Sequence, residues 1–314
     1  MLLKNINKLK ENMARIVIGK GEVTELMLVG LLADGHILIE DVPGVGKTLM
    51  AKTLAALLNC QFKRIQFTPD LTPTDITGFF IYDRRTNDFI FRSGPVLTNI
   101  LLADEINRTV PRTQSSLLEA MEERQITVDG QTFSLPKPFL VLATQNPIEQ
   151  EGTFLLPEAQ LDRFLIKISI GYPTAGEEEE ILLTHGKENP LVNLEPVLTT
   201  EEILTWQDMA RQVEVHPSIQ EYIVALVRAT RSHQRVTLGA SPRASLALFK
   251  ASRALALLRG RQYVIPDDVK YLAEPVLTHR IILKREDHLR GFNAKEIIAE
   301  VLNTVAAPVK EGEI

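Results

Sequence analysis

One stretch constrains the fold of this 314-residue chain more than any other: residues 36–58, HILIEDVPGVGKTLMAKTLAALL. Its first five residues are typical of a short buried strand, and the apolar residues after Lys47 recur at the spacing of a helix. Between them lies a loop with glycines at positions 44 and 46, and the helix opens with Gly-Lys-Thr. A strand, a glycine loop and Gly-Lys-Thr at a helix start together predict a phosphate-binding loop.

This loop predicts a site for a nucleoside triphosphate with Mg²⁺. Glycines let backbone N–H groups turn toward phosphate oxygens, and the helix N-terminus adds the positive end of its dipole. Lys47 is expected to reach the β- and γ-phosphates, and the Thr48 hydroxyl to ligate Mg²⁺. The generic pattern has Gly where this chain has Asp41, whose carboxylate must then point away from the triphosphate. The residues expected to contact the nucleotide in this stretch are Pro43, Gly44, Val45, Gly46, Lys47, Thr48 and Leu49.

Two further apolar runs end in polar residues. The run 99–105, NILLADE, is typical of a buried parallel strand whose tip carries the carboxylates of Asp104 and Glu105. Ligands bind at that edge of open α/β sheets, so Asp104 is expected to hold Mg²⁺ and Glu105 to polarise the attacking water. A solvated acidic turn is the alternative. The run 139–144 leads to Asn146, whose amide either orients the water or caps the following turn.

The rest of the pattern predicts two domains. Strands and helices alternate up to the linker, which we place within residues 186–199. From Thr200 the pattern predicts helices only, at 200–212, 217–232, 242–259, 266–277 and 293–306. Because an all-helical segment after an α/β segment favours separate domains, we expect an α/β nucleotide-binding core at residues 1–190 and a helical domain at 191–314.

Several shorter segments of the core have more than one interpretation. Residues 68–75 are predicted to be a loop, and residues 76–92 and about 126–139 to be hairpins. The aromatic strands of the first hairpin either pack in the core or reach a partner or a central pore. The apolar group Val17, Ile18 and Gly19 either packs in the core or lines a slot for an adenine ring.

Composition excludes some classes of protein. A net charge of −5 gives no broad attraction to nucleic acid or anionic lipid. The single cysteine, Cys60, excludes an internal disulfide. The sequence contains no run of about 18 apolar residues, so we predict no membrane-spanning helix. The N-terminal residues lack the apolar centre that is typical of a signal peptide. We therefore expect a cytoplasmic protein.

Four phrases together resemble the MoxR family of AAA+ ATPases: EDVPGVGKT (40–48), LLADEINR (101–108), LLEAMEERQITVDG (117–130) and VLATQNPIEQEGTFLLPEAQLDRF (141–164). The resemblance is dense over residues 15–170, and GASPR (239–243) extends it into the helical part. It implies a P-loop AAA+ core with a parallel five-stranded sheet in the order 5-1-4-3-2 and a C-terminal all-helical lid. It also implies a homo-oligomeric ring, usually hexameric, with ATP between neighbouring subunits.

The resemblance also implies roles for single residues. Asp104 and Glu105 end the Walker B motif, and Asn146 stands at sensor 1. Arg243 matches sensor 2, which is expected to reach the γ-phosphate of its own subunit's ATP. Residues 76–92 match the helix-2 insertion, which places the chain near chelatase-type AAA+ proteins.

A cation from a neighbouring subunit is expected as well. Arg163 falls where the family has a finger toward the neighbour's ATP, and Arg108 and Arg112 are further candidates because they follow Walker B. A finger supplied in trans contributes about 10³–10⁵ in rate. An isolated subunit is therefore expected to bind ATP but to turn it over slowly.

Three activities agree with these motifs. The resemblance favours an ATP hydrolase that remodels or activates separate partner proteins, in the manner of a chaperone, with von Willebrand factor A domains as the expected partners. A chelatase-type motor subunit is the alternative. A DNA-dependent motor is disfavoured by the acidic balance and by the lack of a Lys/Arg stripe with interleaved aromatics.

Overall fold

The computed structural model describes residues 2–146, 152–185, 191 and 194–308. The helices of the first two thirds are α1 (Leu2–Ile16), α2 (Gly21–Leu32), α3 (Lys47–Leu57), α4 (Pro73–Thr77), α5 (Pro111–Glu123), α6 (Glu158–Leu161) and α7 (Ala175–His185). The strands there are β1 (Ile37–Glu40), β2 (Phe62–Gln66), β3 (Gly78–Asp83), β4 (Asp88–Ser93), β5 (Ile100–Asp104), β6 (Gln125–Val128), β7 (Gln131–Ser134), β8 (Leu140–Gln145) and β9 (Ile166–Ile168). The remainder holds α8 (Thr200–Gln212), α9 (Pro217–Ser232), β10 (Val236–Leu238), α10 (Pro242–Leu258), α11 (Pro266–Leu277), β11 (Ile282–Leu283), α12 (Arg285–Leu289) and α13 (Ala294–Thr304).

A five-stranded parallel sheet forms the centre of the core, in the order β2-β5-β8-β1-β9. Numbered along the core, this is the predicted order 5-1-4-3-2 read from the opposite side. Asp104 and Glu105 therefore lie at the end of β5, and Asn146 follows the adjacent strand β8. The phosphate-loop residues 41–48 follow β1, which lies on the other side of β8. The fold class expected from the sequence is confirmed.

The central strands β5, β8 and β1 are almost wholly apolar and are buried on both faces, whereas the edge strand β2 carries polar residues. Side chains alternate between the faces, so Ile37 and Ile39 join one hydrophobic cluster while Leu38 joins the other. The first cluster includes α1, α2, α3 and the C-terminal helices. The second lies against α5 and the base of the hairpins. This packing holds the carboxyl ends of the strands at one edge of a rigid sheet.

Two hairpins lie between core elements, as predicted. In the β6–β7 hairpin, Asp129 and Gly130 both have positive φ, at 48° and 78°, which is the backbone that an Asp-Gly turn of this type requires. The β3–β4 hairpin packs against it through Phe91, whose ring stacks on Phe133 with 4.2 Å between centroids. Further out, Phe89 of the same hairpin is 65% exposed.

The prediction of a loop over 68–75 is wrong at its end, where α4 begins at Pro73. Thr72 precedes this helix, and its backbone N–H donates to the Asp75 carboxylate at 2.8 Å. Proline at the first helical position and a reciprocal cap make such a short helix favourable.

The C-terminal part is the expected helical lid, and the bounds of α8, α9 and α11 agree with the predicted ranges. It also contains the two-stranded antiparallel sheet β10–β11, which the sequence did not predict because each strand has only two or three residues. The lid shares its apolar core with the N-terminal helices, and the Gln207 amide donates to the Leu31 carbonyl at 2.7 Å. The proposed boundary at 190/191 falls beside residues outside those described and stays a prediction.

Candidate nucleotide-binding site

The loop between β1 and α3 has the backbone of a phosphate cradle. Gly44 and Gly46 adopt φ of 87° and 88°, a left-handed conformation that side chains other than glycine rarely tolerate. A Cβ at either position would meet nothing within 4 Å, so conformation, not space, requires glycine there. Gly46 is the N-cap of α3 and makes no side-chain cap, which leaves the first N–H groups of the helix available to an anion.

Lys47 lies near the carboxylates that the sequence motifs predicted to be its neighbours. Its ammonium donates to the Asp41 carbonyl at 2.7 Å. Burial lowers the pKa of Lys47, and the charges of Asp41, Asp104 and Glu105 act in the opposite direction. The lysine and the acid pair of the next-but-one strand therefore share one edge of the sheet, as a site for a Mg²⁺-bound triphosphate requires.

Asp41 points away from the loop, as its position demanded. One carboxylate oxygen accepts the backbone N–H groups of Ile170 and Gly171 at 2.6 and 2.7 Å and the Ser169 hydroxyl at 3.1 Å. The other oxygen accepts the Val42 N–H at 2.8 Å. Because Asp41 is buried and its carboxylate is bonded to these groups after β9, the residue anchors the loop to the sheet.

The two acidic side chains after β5 are held by β2 and β8. The Asp104 carboxylate accepts Arg64 Nη2 at 2.7 Å on one oxygen and the Thr144 hydroxyl at 2.6 Å on the other. The Glu105 carboxylate accepts the Gln66 amide at 2.6 Å, and Arg108 Nε lies 3.3 Å from the same oxygen. Each carboxylate thus has a fixed orientation before any ligand arrives.

Glu105 has an unusual backbone, with φ of 57° and ψ of 50°. For a non-glycine residue this left-handed conformation costs on the order of 1 kcal/mol and is common at functional sites. Its N–H donates to the Thr144 hydroxyl at 2.8 Å, which stabilises the turn. The strained backbone aims the Glu105 side chain out of the strand direction and beside Asp104.

Sequence reasoning missed Arg64, Gln66 and Thr144. Arg64 and Gln66 are two residues apart on β2 and so share one face, and the parallel register sets Gln66 opposite Asp104. The alternation in FKRIQF was visible in the sequence, but the neighbour of β2 was known only by resemblance. Thr144 is fully buried at the end of β8, where a hydroxyl in an apolar run was the available signal.

Other predicted contacts lie in suitable places. Thr48 is half-buried in the first turn of α3 and Leu49 packs against the core beside it. Asn146 directly follows β8 and is buried, and the residues after it lie outside those described. Val17 and Ile18 are buried after α1, and Gly19 follows with φ of 73°. Contact of these residues with a nucleotide stays a prediction.

The oxygen donors at this edge suit Mg²⁺. A hydroxyl, one carboxylate and phosphate oxygens are the ligand set that this hard cation takes in nucleotide sites. Within the described residues no group of three or more His, Cys, Asp or Glu side chains forms a metal cluster, so an all-protein metal cage is not seen there. Thr48 and Asp104 therefore fit a cation that arrives with its nucleotide.

Arg163 and Arg243 lie at the other edge of the sheet. Arg163 precedes β9, whose first residue pairs with the first residue of β1. Both arginines line a cleft of about 330 Å³ with Gly35 and His36, which precede β1. The phosphate loop follows the other end of this four-residue strand, roughly 13 Å away at the usual rise of a strand.

The expectation that Arg243 reaches the γ-phosphate of its own subunit stays a prediction, and the position of Arg243 in this cleft does not support it. Its helix, α10, packs against α2 and α8. The physical reason is the continuous apolar core between the lid and the N-terminal helices, which fixes where the lid docks. Motif spacing carries no information on that docking.

A buried ion pair holds this second cluster in place. The Arg280 guanidinium, 2% exposed, donates to Asp162 Oδ1 at 2.7 Å and to the Phe164 carbonyl at 2.5 Å. The other oxygen of Asp162 accepts the Ser241 hydroxyl at 2.7 Å, and Ser241 caps α10 by accepting the Arg243 N–H at 3.0 Å. The residue next to Arg163 is thus bonded to the residue that begins the helix of Arg243.

A phosphate loop, an acid pair on the next-but-one strand and a lid define a P-loop nucleoside triphosphatase of the AAA+ class. Residues 36–166 match the family described as "ATPase family associated with various cellular activities (AAA)", and residues 228–301 match the AAA lid domain. The uncharacterized protein YeaC of Bacillus subtilis is 51% identical over 98% of this chain and 97% of its own length. The chaperone MoxR1 of Mycobacterium tuberculosis is 48% identical over 94% of this chain and 80% of its own length.

A crystal structure of a candidate ATPase from Cytophaga hutchinsonii superposes with a TM-score of 0.92 at 38% identity, over 98% of this chain and 96% of that one. The chain belongs to the MoxR family of AAA+ ATPases. The resemblance stated from the sequence motifs is therefore confirmed. No helix within the described ranges is long and apolar enough to cross a membrane.

Proposed function

We propose that this protein hydrolyses ATP at the interfaces of a homo-oligomeric ring and uses the change to remodel separate partner proteins. One observation carries the proposal. Lys47, Asp104 and Glu105 lie at one edge of the sheet, while Arg163 and Arg243 lie at the other. A subunit thus holds both halves of a hydrolytic site but too far apart to combine within one chain.

The first half binds the nucleotide and prepares the water. The N–H groups of the phosphate loop and the Lys47 ammonium would hold the phosphates, and Glu105 would orient and polarise the attacking water. Asn146, at the end of the neighbouring strand, is proposed to fix that water from the other side. Mg²⁺, held by Thr48 and Asp104, would neutralise charge that develops on the phosphate oxygens.

The second half supplies cations. Phosphoryl transfer needs positive charge around the γ-phosphate. The edge of the sheet that carries the phosphate loop provides Lys47 for this, whereas Arg108 at that edge is paired with Glu105. A head-to-tail contact places one edge of a subunit against the other edge of the next, and such contacts generate rings when they close. Arg163 and Arg243 would then reach the triphosphate of the neighbour. We propose six subunits, as the family resemblance implies.

The output is proposed to be mechanical. Arg243 belongs to the lid and Arg163 to the core. Each arginine would lose its contact when the neighbour's γ-phosphate leaves, so both domains of the subunit would respond to hydrolysis. The chaperone name of the relative MoxR1 supports work on other proteins. We propose separate clients with von Willebrand factor A domains, a cytoplasmic setting, and the exposed end of the β3–β4 hairpin as a surface that meets them.

The direct test of the chemistry is the variant Glu105→Gln, which keeps the size of the side chain but removes its charge. ATP affinity should change less than about threefold, whereas turnover should fall by about 10² or more because the water loses its base. Isothermal titration with ATP and a phosphate-release assay check the two quantities. Undiminished hydrolysis would remove Glu105 from its role.

The same variant, trapped with ATP, is the bait for clients. Retention of a von Willebrand factor A domain protein by the ATP-bound variant, but not by a Lys47→Ala variant that lacks the phosphate contact, would support the proposed output. Equal retention by both variants would contradict it.

A further inference from the structure

One carboxylate joins the two arginines at the far edge of the sheet. Glu122, next to the last residue of α5, places Oε2 at 2.9 Å from Arg163 Nε and Oε1 at 2.7 Å from Arg243 Nη2. The three residues come from α5, from the segment before β9 and from the lid helix α10. Their side chains are 38%, 30% and 52% exposed, so the cluster is open to whatever packs on this edge.

The contact to Arg163 does not use up its hydrogen-bonding capacity. Although Nε lies 2.9 Å from the carboxylate oxygen, its N–H is not directed at that oxygen, and Nε is a buried donor without a hydrogen-bond partner among the described residues. A buried donor left unsatisfied is costly and calls for an explanation. The interaction with Glu122 is therefore an electrostatic contact that holds the arginine in place without satisfying it.

We infer that Glu122 is a positioning residue that holds Arg163 and Arg243 as one unit for the triphosphate of the neighbouring subunit. This inference rests on the proposed function. Two guanidinium groups that converge on one phosphate repel each other, and a carboxylate between them offsets that repulsion. Among the described residues, neither guanidinium makes a side-chain contact other than the one with Glu122, so the terminal N–H groups that do not face Glu122 would be available to a neighbouring subunit.

Nothing else among the described residues does this for both arginines. Within this part of the chain, the ion-pair partner of Arg163 is Glu122, and Arg243 has the same partner. The Asp162–Ser241–Arg280 network fixes the two backbones, as described above, but does not touch either guanidinium. The backbone anchor and the side-chain anchor are therefore separate, and they are testable separately.

The first test compares Glu122→Gln with Glu123→Gln. Glu123 is the next residue of α5 and is exposed, and its side chain makes no hydrogen bond or ion pair with the described residues. Glu122→Gln should lower kcat about 10- to 100-fold with little change in KM, because misplaced groups cost rate while the residues that bind ATP are untouched. Glu122→Asp should recover part of the loss, and Glu123→Gln should match the wild type. Equal kinetics of the Glu122 and Glu123 variants would overturn the inference.

The second test is a double-mutant cycle. Arg163→Ala should lower kcat by about 10³ or more, as expected for an arginine finger. If Glu122 acts through the arginines, adding Glu122→Gln to Arg163→Ala should cost far less than it does in the wild type. Fully additive losses would show that Glu122 acts elsewhere and would overturn the inference.

The third test places the effect on the donating subunit. Glu122→Gln subunits keep an intact nucleotide edge, and Glu105→Gln subunits keep an intact arginine edge. Mixing the two should give more activity than the sum of the separate proteins. A mixture of Arg163→Ala with Glu105→Gln is the reference. Recovery in the reference but not with Glu122→Gln overturns this inference alone, whereas no recovery in either mixture overturns the proposed interface as well.

Discussion

At the scale of single residues, Asp41 is the most informative departure from a family pattern. Where the generic phosphate loop has glycine, this chain has a carboxylate that accepts two buried N–H groups at the end of β9. The residue therefore fixes the position of the phosphate loop relative to the sheet. A glycine there would restore the generic motif but remove the anchor.

Replacing Asp41 by Gly should accordingly destabilise the protein, even though it introduces the residue of the generic motif. Leaving buried N–H groups of Ile170 and Gly171 unpaired costs about 1–3 kcal/mol, and the loosened loop should weaken ATP binding. Chemical unfolding and ATP titration measure the two effects. Asp41→Asn, which keeps one carbonyl oxygen, should lose less. A Gly variant as stable as the wild type would show that the anchor is unimportant.

Buried histidines predict how stability depends on pH. His36 is fully buried, accepts the Val141 N–H at Nδ1 and donates from Nε2 to the Met121 carbonyl. Burial, with the nearby charge of Arg124, lowers the pKa of His36 to about 3. Burial also holds the pKa of His279 well below its ordinary value. Both rings are therefore neutral in the folded protein over the physiological range.

The unfolded chain takes up protons that these folded-state rings exclude. As the pH falls from about 6.5 toward 5, the free energy of unfolding should fall, with each histidine approaching 1.4 kcal/mol per pH unit. His36→Gln should reduce that slope by about one proton. Urea unfolding of both proteins at several pH values between 5 and 7 gives the slopes. An unchanged slope in the variant would contradict the assignment of a neutral, buried His36.

At the scale of elements, the N-terminus of α10 is held by the buried pair of Asp162 and Arg280. Removing one partner of a buried pair leaves an uncompensated charge, so Asp162→Ala should cost about 3–5 kcal/mol. The matched control is Asp208→Ala, because Asp208 pairs with Arg211 at the same 2.7 Å but in an exposed position. The control should cost less than about 1 kcal/mol. Equal costs in thermal or chemical unfolding would contradict the role of burial.

How much of this structure could be predicted depended on how local each signal was. The phosphate loop was predictable because strand, glycines and helix start are contiguous. Five of the six α-helices described in the lid were predictable from their own periodicity, whereas the short α12 was not predicted. The partners of Asp104 and Glu105 were not, since Arg64 and Gln66 become neighbours only through strand order. The position of Arg243 beside His36 could not be predicted either, because the docking of the lid depends on a core shared by distant helices.

At the scale of the whole molecule, two clusters of polar side chains lie at opposite edges of the sheet. One edge carries a cradle for phosphates with two oriented carboxylates, and the other carries two arginines on one glutamate. On the proposed function, a subunit gains a complete site only when it meets a second copy of itself. Assembly would then regulate hydrolysis, since Arg163 and Arg243 would reach only the triphosphate of a neighbour.

The most direct test of this account is the rate of ATP hydrolysis per subunit, measured across concentrations at which light scattering shows the protein to pass from monomer to oligomer. The account predicts a low rate for the monomer and a rise of about 10³ or more on assembly, because arginines supplied in trans contribute on that scale. A rate per subunit that is the same for monomer and oligomer would contradict it.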